Sequence, residues 1–209
     1  MSDTLLQVRD LQVHYPLKGG FLQPKTVLKA VDGVSFEIER GRTFGIVGES
    51  GSGKSTTALA VMRLAPVTAG QIQLGDAPIS QLEGEALRLQ RKRFQMVFQD
   101  PFGAFNPRMT VLENVRVALQ RTRADSFNFW SSERKLNVLN DRAMELLTEV
   151  DLASFADTVT VEMPYGRKRA LEIATTLALN PDLMLLDEPT QGMGHEDVGR
   201  VVELIKKVS

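Results

Sequence analysis

Eight consecutive residues, Gly48-Glu49-Ser50-Gly51-Ser52-Gly53-Lys54-Ser55, have the spacing G-x-x-x-x-G-K-[ST]. Chemistry explains each residue type. The glycines permit backbone dihedrals that turn successive N–H groups inward, around the oxygens of a phosphate. A helix starting at Ser55 adds its positive N-terminal end. In such a loop Lys54 reaches the β- and γ-phosphates and the Ser55 hydroxyl ligates Mg²⁺. The plainer alternative is a flexible glycine turn with an exposed lysine. The short apolar strand expected at Thr43–Val47 before the loop and the helix expected at Ser55–Leu64 after it favour the phosphate reading.

A second chemical feature lies more than 120 residues further on. Leu183-Met184-Leu185-Leu186-Asp187-Glu188 is an apolar strand ending in two carboxylates. In nucleotide hydrolases with a phosphate loop, an aspartate at this place holds Mg²⁺. Asp187 fits that role, and Glu188 stands where a carboxylate orients and polarises an attacking water. A strand ending in two ordinary solvated acids would read the same way in isolation. The upstream loop decides between the two.

The elements that must position these groups alternate between strand and helix. Leu5–Tyr15 reads as strands and turns, and Lys18–Lys25, with Gly19, Gly20 and Pro24, as a loop. Val27–Glu39 reads as a hairpin turning at Asp32-Gly33. Gln71–Leu74 and Phe94–Phe98 read as strands, the latter apolar enough to be buried on both faces. Thr110-Val111-Leu112-Glu113 has the form of a capping box. In Ser132–Val150, Leu136, Leu139, Ala143, Leu147 and Val150 recur at steps of three and four, one apolar helix face. Gly166–Leu179 reads as a helix stopped by Asn180-Pro181, and Glu196–Val208 as a last helix. This pattern predicts an α/β fold, with a mainly parallel sheet flanked by helices, an N-terminal antiparallel β subdomain and a helical insert. Residues 1–109 and 163–209 form the expected core and 110–162 the insert.

Composition excludes several classes. The 209 residues are 43% hydrophobic and 24% charged, with net charge −1, so no basic footprint supports nucleic-acid binding. With no cysteine there is no disulfide, thiolate metal site or cysteine nucleophile. His14 and His195 are too few for a histidine-rich metal site. No apolar run reaches the ~18–20 residues of a membrane span. The first residues lack the layout of a signal peptide. A role at a membrane would therefore need a partner.

At this point the chain resembles the ABC ATPases, over nearly its whole length. The resemblance implies ATP and Mg²⁺ as cofactors. It extends the ATP contacts to Tyr15, an aromatic that stacks on adenine, and to Gly48, Glu49, Ser50, Gly51, Ser52, Gly53, Lys54, Ser55 and Thr56. Gln99, in Met96-Val97-Phe98-Gln99-Asp100-Pro101, matches the glutamine loop, which contacts Mg²⁺ and the water. The resemblance makes Glu188 and Gln99 catalytic and Ser55, Gln99 and Asp187 metal-binding. Met163-Pro164-Tyr165-Gly166-Arg167 stands where the family usually has Leu-Ser-Gly-Gly-Gln. That segment opens a helix whose end meets the γ-phosphate held by a second subunit. Pro164 and Tyr165 lack the usual hydroxyl and glycine, and Arg167 is expected to compensate with positive charge. Implied partners are a second ABC ATPase subunit, transmembrane permease subunits and, indirectly, a substrate-binding protein. The implied location is peripheral, on the cytoplasmic face of the inner membrane.

The two halves resemble different subfamilies. Residues up to about 110, above all Phe98-Gln99-Asp100-Pro101-Phe102-Gly103-Ala104-Phe105-Asn106-Pro107, look like oligopeptide and dipeptide importer ATPases. Beyond about 111 the chain looks like branched-chain amino acid importer ATPases. The markers are Glu113-Asn114-Val115-Arg116, Phe127-Asn128-Phe129-Trp130, the run Pro164–Ala174 and Gln191-Gly192-Met193-Gly194. The join at Met109–Val115 reads as a chimera. Gly194 replaces an aspartate usual in the family. The family's switch histidine follows one strand beyond the last helix, and the sequence ends before such a strand. His195 lies too near Glu188 to serve and reads as a helix-start residue. The expectation is an importer ATPase, with a nucleotide-binding module of low turnover as the alternative. A soluble ABC ATPase of DNA repair or translation is disfavoured by the lack of a second cassette or a long heptad insert. The aromatic cluster Phe127–Trp130 reads first as packing of the insert and second as a permease contact. The basic run Arg88–Arg93 reads as a solvated helix end.

Overall fold

A computed structural model describes residues 3–17, 26–98, 105–122, 133–191 and 193–208. It divides into two units, Met1–Phe94 and Gln95–Val208.

In the first unit, apolar residues alternate along β1 (Thr4–Pro16), so Leu6, Val8, Leu11 and Val13 are buried while Arg9 and Asp10 are exposed. β2 (Val27–Glu39) and β3 (Ala69–Leu74) pair antiparallel with β1 in the order β2-β1-β3. Helix α1 (Lys54–Val61) packs on β1 and β2, and α2 (Gly84–Gln90) follows. Two expectations are corrected here. Leu5–Tyr15 lies within one strand, and Val27–Glu39 is a second continuous strand instead of a hairpin. Asp32-Gly33 does not turn the chain back. The register steps from Leu11↔Val34 to Gln12↔Asp32, leaving Gly33 as an extra residue. Gly33 takes φ 83, so the glycine absorbs a β-bulge. The cross-strand partner of β2 is β1, and a turn dipeptide cannot override that pairing.

Thr43–Val47 is also corrected. It forms no strand among the described residues, and Phe44, Ile46 and Val47 are exposed, Val47 by 97%. Apolar, extended chain becomes a strand only when a neighbouring ladder satisfies its N–H and C=O groups. Phe44 instead stacks on Phe36 of β2, with centroids 5.0 Å apart and planes within 4°. The basic run at the end of α2 is only partly solvated. Arg88 pairs with Glu85 at the surface, but Arg91 donates to the carbonyls of Met62 and Arg63, closing the end of α1.

In the second unit, β4 (Phe94–Val97, with Phe94 at the unit boundary) and β5 (Leu183–Leu186) are hydrogen-bonded neighbours. β4 is largely buried; β5 is half-buried along its length. The helices are α3 (Val111–Arg121), α4 (Glu133–Glu149), α5 (Tyr165–Leu177) and α6 (His195–Val208). Short 3-10 turns at Ala153–Phe155 and Thr160–Glu162 lead from α4 to α5. The Thr110 hydroxyl accepts from the Glu113 N–H and the Glu113 carboxylate accepts from the Thr110 N–H, so the capping box forms as expected. Leu139, Ala143, Leu147 and Val150 of the predicted stripe are buried with α3 and α5 residues in one apolar cluster. Asn114 sits inside it as a polar hub: its Nδ2 donates to Asn106 O, Thr110 O and Thr160 Oγ1, and its Oδ1 accepts from the Asn106 N–H. α6 opens at His195, in agreement with a helix-start residue. Among the described residues no helix is long and apolar enough to cross a membrane.

Candidate functional site

The phosphate loop belongs to the first unit. Its backbone leaves the extended stretch at Gly48 and enters α1 at Lys54. Gly51 and Gly53 have φ 80 and 93, a left-handed region where only glycine is unstrained. At Gly53 the requirement is also steric. An added Cβ would lie 2.4 Å from the carbonyl oxygen of Ala30 on β2. The helix cap at Gly53 has no side chain, so the first turn of α1 presents its amides without a competing carboxylate. Lys54 curls back over the loop, its Nζ donating to Gly48 O (2.9 Å) and Glu49 O (2.7 Å). Two of the ammonium's three N–H groups thus hold the loop round the cation. Gly48, Glu49 and Ser50 are exposed; Lys54, Ser55 and Thr56 are half-buried. An open mouth, a fixed ammonium and a helix N-terminus suit a polyphosphate. Tyr15 stands near the end of β1, half-buried and opposite Leu28.

The acidic strand belongs to the second unit. Asp187 donates its N–H to Val97 O at 3.1 Å, so it extends the pairing of β5 with β4. Asp187 is half-buried and Glu188 exposed, and Glu188 takes φ 45. A non-glycine residue in that region is strained and must be held there. Gln99 and the cluster Phe127–Trp130 lie outside the described residues. Among the described residues no group of three or more His, Cys, Asp or Glu side chains could hold a metal ion by itself.

α5 starts after Pro164, which caps it without a side-chain hydrogen bond. Gly166 is buried because α6 crosses it: a Cβ there would fall 2.4–2.7 Å from the Asp197 carboxylate. Arg167 lies in the first turn of α5 and is paired within the chain. Its Nη1 donates to Asp151 O (2.8 Å) and to Asp151 Oδ2 (2.9 Å), and the guanidinium lies over the Phe155 ring. Its charge is engaged by the turn before α5. The Phe155 ring lies 5.2 Å from the guanidinium carbon, within reach of the first turn of α5.

The sequence reading passed over Arg169 and Glu172, naming them only within a subfamily marker. They are the most deeply buried ion pair described, 1% and 3% exposed, with Nη1–Oε2 at 2.6 Å. The guanidinium also donates to the carbonyls of Phe98, Pro189 (3.1 Å), Asp187 (3.3 Å) and Glu188 (3.5 Å). Glu172 Oε1 accepts from the Phe98 N–H at 3.1 Å. A signal was available: opposite charges at i and i+3 among apolar residues of one helix, where a solvated pair is out of place. A cleft of about 700 Å³ opens beside this cluster, lined by Met96, Phe98, Asn106, Asn114, Arg121 and Glu172.

Comparison with known proteins adds the lineage. The model of the ABC transporter family matches residues 31–191. The chain belongs to the ABC transporter family. It is 38% identical over 210 residues to the oligopeptide transport ATP-binding protein AppF of Bacillus subtilis, covering 99% of this chain and 61% of that protein. It is 31% identical over 206 residues to the dipeptide transport ATP-binding protein DppF of Escherichia coli, covering 98% and 59%. The chain therefore spans about three fifths of the length of these curated relatives. Both alignments run through the join at Met109–Val115. Among solved structures, the dimeric post-hydrolysis ATP-binding cassette MJ0796 bound to ADP and Pi superposes with TM-score 0.76 at 26% identity, covering 97% of this chain and 82% of that one. The cbiO1 protein of Clostridium perfringens, at 23% identity and TM-score 0.78, has the same fold. An ABC cassette accounts for the α/β architecture, the phosphate loop and the acidic strand together.

Proposed function

We propose that this ABC cassette binds Mg-ATP at residues 48–56 and hydrolyses it, as the nucleotide-binding subunit of an importer. The observation that carries the reading is the loop itself: glycines at positive φ, an uncapped helix start and a lysine ammonium held at the mouth. In this reading Tyr15 stacks on adenine and Lys54 meets the β- and γ-phosphates. Ser55, Asp187 and Gln99 would be the residues to hold Mg²⁺, which would neutralise phosphate charge. Glu188, with Gln99, orients and polarises the water. Pro164, Tyr165, Gly166 and Arg167 face ATP held by a second cassette, as the dimeric ADP- and Pi-bound neighbour suggests. The cleft beside Phe98 and Asn114 is suited to a helix of a permease subunit, which would keep the chain on the cytoplasmic face of the inner membrane. A substrate-binding protein would act only through that permease. The names of the relatives favour peptides as cargo; the markers beyond residue 111 favour branched-chain amino acids.

One observation favours a second reading, in which nucleotide binds but turns over slowly. Arg167 is paired with Asp151 and Phe155, so its charge does not make up for the hydroxyl and glycine missing at Pro164 and Tyr165. Titration with Mg-ATP tests the first step, with Lys54→Ala as control. Saturable binding by the parent, weakened at least about 100-fold in Lys54→Ala, is expected from loss of a charge-assisted phosphate contact. Equal binding by both would refute the assignment of the loop. Steady-state turnover then separates the two readings.

A further inference from the structure

A guanidinium and a carboxylate buried together gain little stability over apolar side chains of the same volume. Such a pair is informative through what it touches. From α5, Arg169 and Glu172 reach two segments distant in sequence, the end of β4 and the turn after β5. At the turn, the carbonyls of three successive residues, Asp187, Glu188 and Pro189, converge on one guanidinium. Between them the backbone of Glu188 passes through φ 45. At β4, both backbone groups of Phe98 are taken, its carbonyl by Arg169 and its N–H by Glu172. Phe98 immediately precedes Gln99. A planar fork of five donors can serve four carbonyls and a carboxylate at once; an ammonium has only three donors and an apolar side chain none.

We propose that Arg169 and Glu172 are positioning residues for ATP hydrolysis. They hold the Glu188 backbone in its left-handed turn and set the point where the chain leaves β4 toward Gln99. Neither acts on substrate, because the Arg169 donors are spent on carbonyls and on Glu172. The inference rests on the reading of Glu188 as the carboxylate that polarises water.

The test uses the full chain and three variants. Arg169→Met/Glu172→Leu removes both charges and leaves neither partner stranded. Arg169→Lys keeps the charge without the fork, and Glu172→Gln keeps the shape without the charge; these two carry the same readouts should the double variant not fold. The Cα and Cβ chemical shifts of Glu188 report its backbone conformation, and amide exchange at Asp187 reports the turn. Both are read without nucleotide, beside kcat and KM for Mg-ATP. The Glu188 shifts are expected to move in the double variant and in Arg169→Lys, with Asp187 exchanging about tenfold faster or more. kcat should fall about 10–100-fold while KM stays within about twofold, as for a misplaced catalytic group with intact binding. Unchanged Glu188 shifts and exchange in a folded variant would overturn the proposal. So would unchanged kcat where Glu188→Gln is inactive. A Glu188→Gln chain as active as the parent would instead sink the catalytic reading of Glu188, recognisable because the Glu188 signals still move in the double variant.

Discussion

The phosphate loop and the turn after β5 present opposite solutions to holding a constrained backbone. The loop is contiguous. Eight residues supply its glycines, its lysine and its helix start, and the lysine closes on carbonyls only five and six positions away. The turn at Glu188 is assembled. Its strained backbone is held by a side chain 19 residues earlier, which is fixed in turn by a strand end more than 70 residues away. The loop is exposed and rests on backbone conformation. The turn is anchored by a buried ion pair. A contiguous device survives changes elsewhere in the fold, whereas an assembled one transmits them.

That contrast can be broken by substitution. The largest effect should come from Glu172→Leu alone. It leaves a guanidinium buried without its carboxylate, which costs about 3–5 kcal/mol, while Arg169→Met/Glu172→Leu should cost far less. Denaturant unfolding of the two proteins checks this, and equal losses would show that the backbone groups left without these partners cost as much as the stranded charge. Gly53→Ala should come next. It forces a Cβ into φ 93 and against Ala30 O, costing about 2 kcal/mol in the first unit. The same denaturation experiment reads it; a neutral outcome would mean the loop does not rest on β2.

The smallest effect sharpens the comparison at the surface. Asp32, beside the Gly33 bulge, accepts from Lys29 Nζ at 3.1 Å and is paired with His14 Nε2 at 3.1 Å. The hydrogen bond from Lys29, then that from His14, holds its carboxyl below the ordinary 3.8. A carboxyl lowered in the folded state contributes stability above its unfolded pKa, and that contribution is lost as pH falls through the folded one. Asp32→Asn should therefore flatten the decline of Tm below about pH 4, leaving neutral pH little changed. Parallel Tm curves would show that the cluster adds nothing.

Much of the fold was legible because its signals are local. The capping box at Thr110 and Glu113 satisfies its own donors within one turn, and α5 ends before Asn180-Pro181 because proline cannot continue it. Four apolar residues ending in Asp187-Glu188 read as a strand and form one. The errors all involve a partner. Asp32-Gly33 is good turn chemistry, yet antiparallel pairing with β1 makes it a bulge. Thr43–Val47 has strand composition without a described ladder beside it.

By itself, then, the sequence determined the lineage and the phosphate loop. Their meaning is carried by residues adjacent in the chain, where covalent geometry limits what a glycine-rich run before a helix can do. Only the tertiary structure decided that Arg169, paired with Glu172, meets the turn at Glu188. Burial is set by neighbours brought from elsewhere in the chain. It turns a charge pair that would be unremarkable in water into the donor set for four backbone carbonyls.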